Sequence, residues 1–454
     1  MKTSHIWLAI HQGRDIPGRE NLWIQDSGNI GWEFVNIKFG TKSASVYVYQ
    51  QKSNEEKELI LSPSLSMFLE LPSNLETFHA LYCRKQNSIE IGPVIGLITE
   101  EKKSPKIFPP SNLEGFSKEM IFYLGSKGYP CFLYVWNRAL EKDWSGYTWG
   151  DQNWVPKNLP IPHFLYNRIH TRRISFSDEM EKFLQFAEEN NIALYNKRFI
   201  SKKDLYKMPI KATLKNFLPE LSSFTGDVFK DMLNRYPTLF LKPNHGSKGR
   251  GIVRIRKRPD GIHIENDHFQ HIFPSSVDAL RFLQDIVQSK DYVLQEGIPL
   301  IKMDGKTVDF RILTHKEDEN RWKITSIVAR TSKENGFITN LSKGGTKEPL
   351  KKILDIFFQK EQRKEIERLM RELVLSVSHE MDRHFPDCFI ELGIDVGITG
   401  AGKMFIIEIN SKPGKGDVLE SSLPRPSVQA IGNIAIKYGK QKMEERCPCT
   451  TLES

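Results

Sequence analysis

The chain of 454 residues carries a net charge of +9 with 39% hydrophobic and 11% aromatic residues, which predicts two to four globular domains and excludes a disordered protein. Five scattered cysteines exclude a disulfide framework, and no stretch reaches the ~20 apolar residues that span a bilayer. The basic residues lie along the whole chain, often beside acids as in Arg363-Lys364-Glu365-Ile366-Glu367-Arg368, with no basic-aromatic repeat, which excludes a nucleic-acid module.

Residues 1–105 read as a small β-rich domain. Strand-like runs at 32–39, 44–50, 59–61 and 89–99 are separated by turn residues, with a short helix at 64–71. The first eleven residues hold one lysine and an interrupted apolar run, which is no signal peptide and predicts a cytoplasmic protein. Lys102-Lys103-Ser104-Pro105-Lys106-Ile107-Phe108-Pro109-Pro110 reads as a linker. From 111 to 190 helix and strand alternate in an αβ domain. A helix at 115–126 and a buried strand at 131–136 precede a helix at 177–190, capped by Ser177 with Glu179 and Glu181 in its first turns. Tyr147, Trp149 and Trp154 are expected on a loop between these elements.

Residues 191–445 form the largest predicted domain, with a flexible tail at 446–454. The Cys447-Pro448-Cys449 pair in that region lacks the partners of a structural zinc site. Lys197, Lys202 and Lys203 make a basic stretch ahead of a helix predicted at 204–218. Next comes Phe240-Leu241-Lys242-Pro243-Asn244-His245-Gly246-Ser247-Lys248-Gly249-Arg250-Gly251-Ile252-Val253. Three glycines mixed with serine and cations make a donor-rich loop that can fold over a polyphosphate. Strands flank it on both sides. It therefore cannot be a P-loop or dinucleotide fingerprint, whose glycines open a helix. A helix at 277–288 leads to a strand at 292–298, and further strands lie at 308–316 and 322–330. Ile366, Leu369, Met370, Leu373 and Val377 then recur at helical spacing as a core stripe.

The last pair of strands, at 390–398 and 403–409, flanks Thr399-Gly400-Ala401-Gly402, a hairpin turn. Pairing Thr399 with Met404 puts Asp395 opposite Glu408. Asn410 shares the Glu408 face, while Phe405, Ile407 and Ile409 point the other way. Two carboxylates and an amide oxygen are a hard donor set suited to Mg²⁺. Like charges placed opposite each other destabilise a hairpin unless a cation neutralises them.

The order Lys-Pro-x-x-Gly-Ser-x-Gly-x-Gly, hinge strand, Asp309-Phe310-Arg311, Asn340-Leu341-Ser342-Lys343-Gly344-Gly345, then Asp395 and Glu408-Ile409-Asn410-Ser411-Lys412-Pro413-Gly414 resembles the ATP-grasp fold. Within it, Gly92-Pro93-Val94-Ile95-Gly96-Leu97-Ile98, Pro160-Ile161-Pro162 and Tyr166-Asn167-Arg168-Ile169 resemble the YheC/YheD family associated with the endospore coat. The resemblance implies an α/β ATP-grasp domain of two lobes behind a pre-ATP-grasp αβ domain and the extra β domain. It implies adenine against the hinge at Gln295, Glu296 and Ile298, and phosphates under Gly246, Ser247, Lys248, Gly249 and Gly251. Lys242 and one of Lys197, Lys202 and Lys203, with Lys202 preferred, would contact the nucleotide. Asn340 would face the reacting phosphate, Arg311 and Arg330 would stabilise it, and Asp395, Glu408 and Asn410 would hold two Mg²⁺ ions.

The reaction so implied is an ATP-dependent ligation of a carboxylate to an amine or thiol through an acyl phosphate. It would occur in the cytoplasm around the developing spore, with coat proteins as partners and no membrane insertion. A scaffold that binds ATP without turnover, and an ATP-grasp phosphotransferase, are the alternatives.

Overall fold

The computed structural model describes residues 5–13, 23–26, 33–50, 59–101, 109, 111–141, 143–150, 152–208, 211–246, 249–288, 290–333, 336, 345–415 and 423–447. The chain folds as two units, Met1–Arg198 with Gly414–Ser454, and Phe199–Pro413.

The first unit opens with a closed barrel in the strand order His5–Gln12, Leu59–Leu61, Trp23–Asp26, Lys42–Gln50, Phe34–Phe39, Ser88–Ile91, Thr77–Cys83. Burial alternates along Phe34–Phe39, as the two-residue repeat of a strand requires. Val35, Ile37 and Phe39 thus join Ile10, Val46, Leu61, Phe78 and Ile91 in the core. The strand expected at 89–99 is in fact two strands in different sheets. Pro93 has no N–H to give to a ladder, so pairing stops at Ile91 and resumes at Ile95. The barrel therefore ends at Ile91, and 95–99 belongs to a second sheet rather than to a domain reaching 105.

Ile95–Thr99 lies at the centre of that sheet. The order is Asn153–Asn158, Ser145–Gly150, Cys131–Val135, Ile95–Thr99, Phe164–Asn167, Ala193–Tyr195. The last four strands are parallel, and Ile95–Thr99 is buried throughout, as a strand covered on both faces must be. Ser111–Gly125 and Asp178–Glu189 are its crossover helices. Ser177 caps the second, its hydroxyl accepting the Met180 N–H at 3.3 Å. Tyr147, Trp149 and Trp154 stand on an antiparallel hairpin instead of a loop, Trp149 directly across from Trp154 with ring centres 5.3 Å apart.

The helix Pro426–Arg446, assigned by sequence to the 191–445 domain, belongs to this first unit. Tyr438 stacks on Tyr195 at 5.0 Å, and Tyr123 donates to Asn433 at 2.7 Å. A side chain at Gly432 would meet the Tyr123 ring at 2.6 Å, so the close approach requires glycine. Cys447 is buried beside Leu81, Cys83 and Met443, so the tail does not begin at 446. Residues 448–454 lie outside the described residues.

The second unit holds two sheets. One runs Leu221–Ser223, Tyr292–Glu296, Thr238–Pro243, Val253–Arg258, Gly261–Glu265, Gln270–Phe273 and packs on the helices Gly226–Arg235 and Ser276–Val287. The other runs Thr346–Pro349, Arg321–Thr331, Lys306–Asp318, Glu391–Ile398, Met404–Asn410 and packs on Lys360–His384 through Met370, Val374, Val377 and Met381. The chain crosses between them after Glu296, where Gly297 N–H donates to Thr238 in the first sheet and Ile301 N–H to Ile398 in the second. The helix expected at 204–218 is two short helices, Lys202–Lys207 and Ala212–Lys215. Met208 is extended (ψ 139°) because it precedes Pro209, whose ring disfavours helical backbone at the preceding residue.

Candidate functional site

In the terminal hairpin of the second sheet, Ile398 pairs with Met404, Gly397 with Phe405 and Val396 with Ile406, one residue off the expected register. A bulge at Ile407 then restores phase, so that Asp395 faces Glu408 and Gly393 faces Asn410. The expected carboxylate pair forms, but by a different route. The apolar face is Met404, Ile406 and Ile409, all buried in the core, and not Phe405, Ile407 and Ile409. Ile407 instead leans toward Gly397, 3.1 Å from where its Cβ would stand. Gly402 turns the hairpin at φ +82°, and the Thr399 hydroxyl accepts the Lys403 N–H at 3.1 Å.

Two more register pairs complete the charged floor. Arg311 stands across from Asp395, and Arg330 across from Asp309. Arg311 clamps both Asp395 oxygens, through Nε to Oδ1 and through Nη2 to Oδ2 at 2.9 Å. Arg330 makes a fork to Asp309 at 2.8 and 2.6 Å and reaches Asp395 Oδ2 at 3.0 Å. Burial pushes the Asp395 carboxyl up, but Arg311 and Arg330 outweigh it and hold the group below its ordinary range. For Arg330, burial acts downward and is overcome by Asp395 and Asp309, so it stays charged. Its side chain is 8% exposed against 23% for Arg311, which makes Arg311 the accessible cation. The repulsion between Asp395 and Glu408 is thus relieved by the protein's own guanidinium groups, and the hairpin does not need a metal in order to form.

The donor set still suits a hard cation. A carboxylate offers about four lone-pair sites, and the arginines use three on Asp395. The Asn410 Nδ2 is buried with no partner among the described residues; as a donor it calls for an acceptor such as a phosphate oxygen and does not itself bind a cation. Glu408 and Asn410 would supply the other oxygens. Among the described residues, no three His, Cys, Asp or Glu side chains cluster together, so any site here would draw on the amide oxygen and on the ligand as well.

The first sheet supplies Lys242. It is buried and donates to Gln295 Oε1. Burial and then the Lys202 charge depress its ammonium, Glu408 partly restores it, and it titrates at about 8. Lys242 therefore feels Lys202 from a neighbouring helix and Glu408 from the other sheet. Lys202 begins Lys202–Lys207 behind Ser201, whose hydroxyl accepts the Asp204 N–H while Asp204 accepts the Ser201 N–H. Its Nζ approaches the Gly246 carbonyl at 3.4 Å. Lys203 is ion-paired with Asp291 at 2.5 Å, and Lys197 lies in the first unit.

Gly246 closes a turn on the Pro243 carbonyl at 3.1 Å. Gly249 and Gly251 take φ +68° and +72°, where a Cβ is strained. Val253–Arg258 returns antiparallel to Thr238–Pro243, so the glycines do cap a hairpin. At the hinge, Glu296 accepts the Glu220 N–H at 3.0 Å and Gln295 lies between Lys242 and the Tyr206 hydroxyl. Ser247, Lys248 and Asn340 lie outside the described residues. Sequence reasoning passed over Asp309 and Gln295 as partners of Arg330 and Lys242. The strand register would have exposed the Asp309 pair, but nothing local signals the Gln295 contact.

The sequence pattern of the YheC/D-like ATP-grasp family matches residues 191–440. Endospore coat-associated protein YheD of Bacillus subtilis (strain 168) is 27% identical over 397 residues, covering 84% of this chain and 85% of that one. Endospore coat-associated protein YheC of the same organism is 22% identical over 288 residues, covering 61% and 78%. Among solved structures, the VanG D-Ala:D-Ser ligase from Enterococcus faecalis aligns over 78% of this chain and 99% of its own at 11% identity and a TM-score of 0.46. That likeness is too loose to transfer any chemistry.

Proposed function

The chain belongs to the YheC/D-like ATP-grasp family, and from that footing we propose that it is an ATP- and Mg²⁺-dependent ligase that joins a carboxylate to an amine or thiol through an acyl phosphate. The observation that carries the reading is the electrostatic coupling of Lys242, on one sheet, to Lys202 and Glu408, whose helix and strand belong to the core of the other. Such a place suits a nucleotide's phosphates, with the glycine hairpin above them. Lys242, Lys202 and Arg311 would bind and orient the phosphates by charge-assisted hydrogen bonds. Arg330, held between two aspartates, would act as a positioning residue for Asp395. Asp395, Glu408 and Asn410 would hold Mg²⁺, which when bound supplies charge neutralisation at the transferring phosphate. The hinge at Gln295, Glu296 and Ile298 would take the adenine.

A second reading, a coat scaffold that binds ATP without turnover, is favoured by the closure of Asp395 under two arginines. Trapping with hydroxylamine separates the two. The purified chain, given ATP, Mg²⁺ and pooled cell-wall and spore metabolites, should release ADP and form a hydroxamate. Nucleotide binding with neither product supports the scaffold, and ADP with a stable phosphorylated product but no hydroxamate indicates phosphotransfer. The coat-associated names of the relatives support a place at the forespore, which a fluorescent fusion would test. No described helix is long and apolar enough to cross a membrane.

A further inference from the structure

In the parallel sheet of the first unit the chain leaves neighbouring strands in opposite directions. Ile95–Thr99 connects toward Cys131–Val135 on one side, and Phe164–Asn167 toward Ala193–Tyr195 on the other. Ligands of open α/β sheets bind in the crevice outside the carboxyl ends of two such strands.

This crevice is cationic. Arg168, just past Phe164–Asn167, is wholly buried, donates to the Tyr166 hydroxyl at 3.2 Å and meets His170 Nε2 at 3.2 Å. The Lys415 ammonium sits 4.5 Å from the centre of the Phe116 ring and 5.4 Å from that of Tyr166. Arg425 lies 5.8 Å from the Phe116 ring. It donates through Nε to Glu119 and through Nη1 to the Lys415 carbonyl, each at 2.5 Å. Its Nη2 is buried with no partner among the described residues. A buried guanidinium donor left unmatched costs the desolvation of a charged group and points to a missing acceptor. Glu100, which follows Ile95–Thr99, is not that acceptor. Its oxygens take the backbone N–H groups of His170 and Thr171 at 3.0 Å, so it serves to hold the loop.

We infer that this crevice binds an oxyanion-bearing ligand, a carboxylate or a phosphate, between Arg168, Lys415 and Arg425. The buried faces of Phe116 and Tyr166 hold the cations in place. The site lies wholly in the first unit and does not depend on the nucleotide reading.

Calorimetric titration of the full chain with citrate and with inorganic phosphate tests it, beside Lys415→Gln, Arg425→Lys and Lys242→Met. At least one anion should bind, about tenfold weaker in Lys415→Gln and in Arg425→Lys, since each removes or weakens one charge-assisted contact, and unchanged in Lys242→Met. Which anion binds tells a carboxylate from a phosphate ligand. Lys415 is only half-buried, so its variant keeps the fold even if the arginine change does not. No binding by the full chain, equal affinity in Lys415→Gln, or loss confined to Lys242→Met would each overturn the inference, the last by placing the anion under the glycine hairpin.

Discussion

Lys242 shows at residue scale how burial prepares a group for a polyanion. Its ammonium is depressed to about 8 from an ordinary 10.5, so it costs stability below pH 8 and less as pH rises toward 10.5. A bound anion restores the charge. Nucleotide binding should therefore take up a proton above pH 8, and affinity should fall as pH rises through that value. Lys242→Met should weaken nucleotide binding by roughly tenfold to a hundredfold, the worth of a hydrogen bond to a charged group, and flatten the pH profile. A profile that stays steep in the variant would assign the titration to another residue. The same scale holds the test of the hard-donor set. Glu408→Gln with Asn410→Ala should fold normally, since Arg311 and Arg330 already neutralise Asp395, while Mg²⁺-dependent turnover falls by orders of magnitude. Turnover at the level of the parent would remove Glu408 and Asn410 from the site.

Among the elements, the strand Met404–Asn410 turns on its one extra residue. The bulge at Ile407 lets Met404 and Ile406 face the core while Glu408 still meets Asp395. Deleting Ile407 leaves a regular strand with the same partners, whereas deleting Phe405 sets Met404 and Ile406 on opposite faces. The one turned outward loses about 1.5–3 kcal/mol. Urea denaturation should show that drop for the Phe405 deletion and a smaller one for the Ile407 deletion, and equal drops would mean that the bulge does not hold the extra residue. The sequence could not show it, because an alternating reading of Phe405, Ile407 and Ile409 fits a regular strand equally well. Pro93 and Pro209, by contrast, are breakers legible in the sequence: pairing changes sheets across Pro93, and the backbone leaves the helix at Met208, just before Pro209.

For the whole molecule, the first unit is discontinuous in sequence. Its closing helix Pro426–Arg446 buries Val428, Ile431, Ile434 and Ala435 within that unit, after the chain has built the second. Ending the chain after Pro413 should therefore raise hydrogen exchange across 1–198 and leave 199–413 protected, because only the first unit loses core. Exchange rising equally in both units would contradict the division.

The sequence by itself determined the family and the strand–glycine loop–strand order around Lys242, and it named Asp395 and Glu408 as partners through a register that the bulge at Ile407 replaces. These are local or motif-borne, set by turn residues, alternation and fixed spacing along one stretch of chain. Tertiary structure decided the rest. Which cation answers Asp395, which acceptor holds Lys242, and which unit receives the last helix depend on residues dozens to hundreds of positions apart. Arg311 lies 84 residues from Asp395, and Lys242 lies 53 from Gln295. Ladder register and packing bring such groups together, and neither leaves a period or spacing in the sequence.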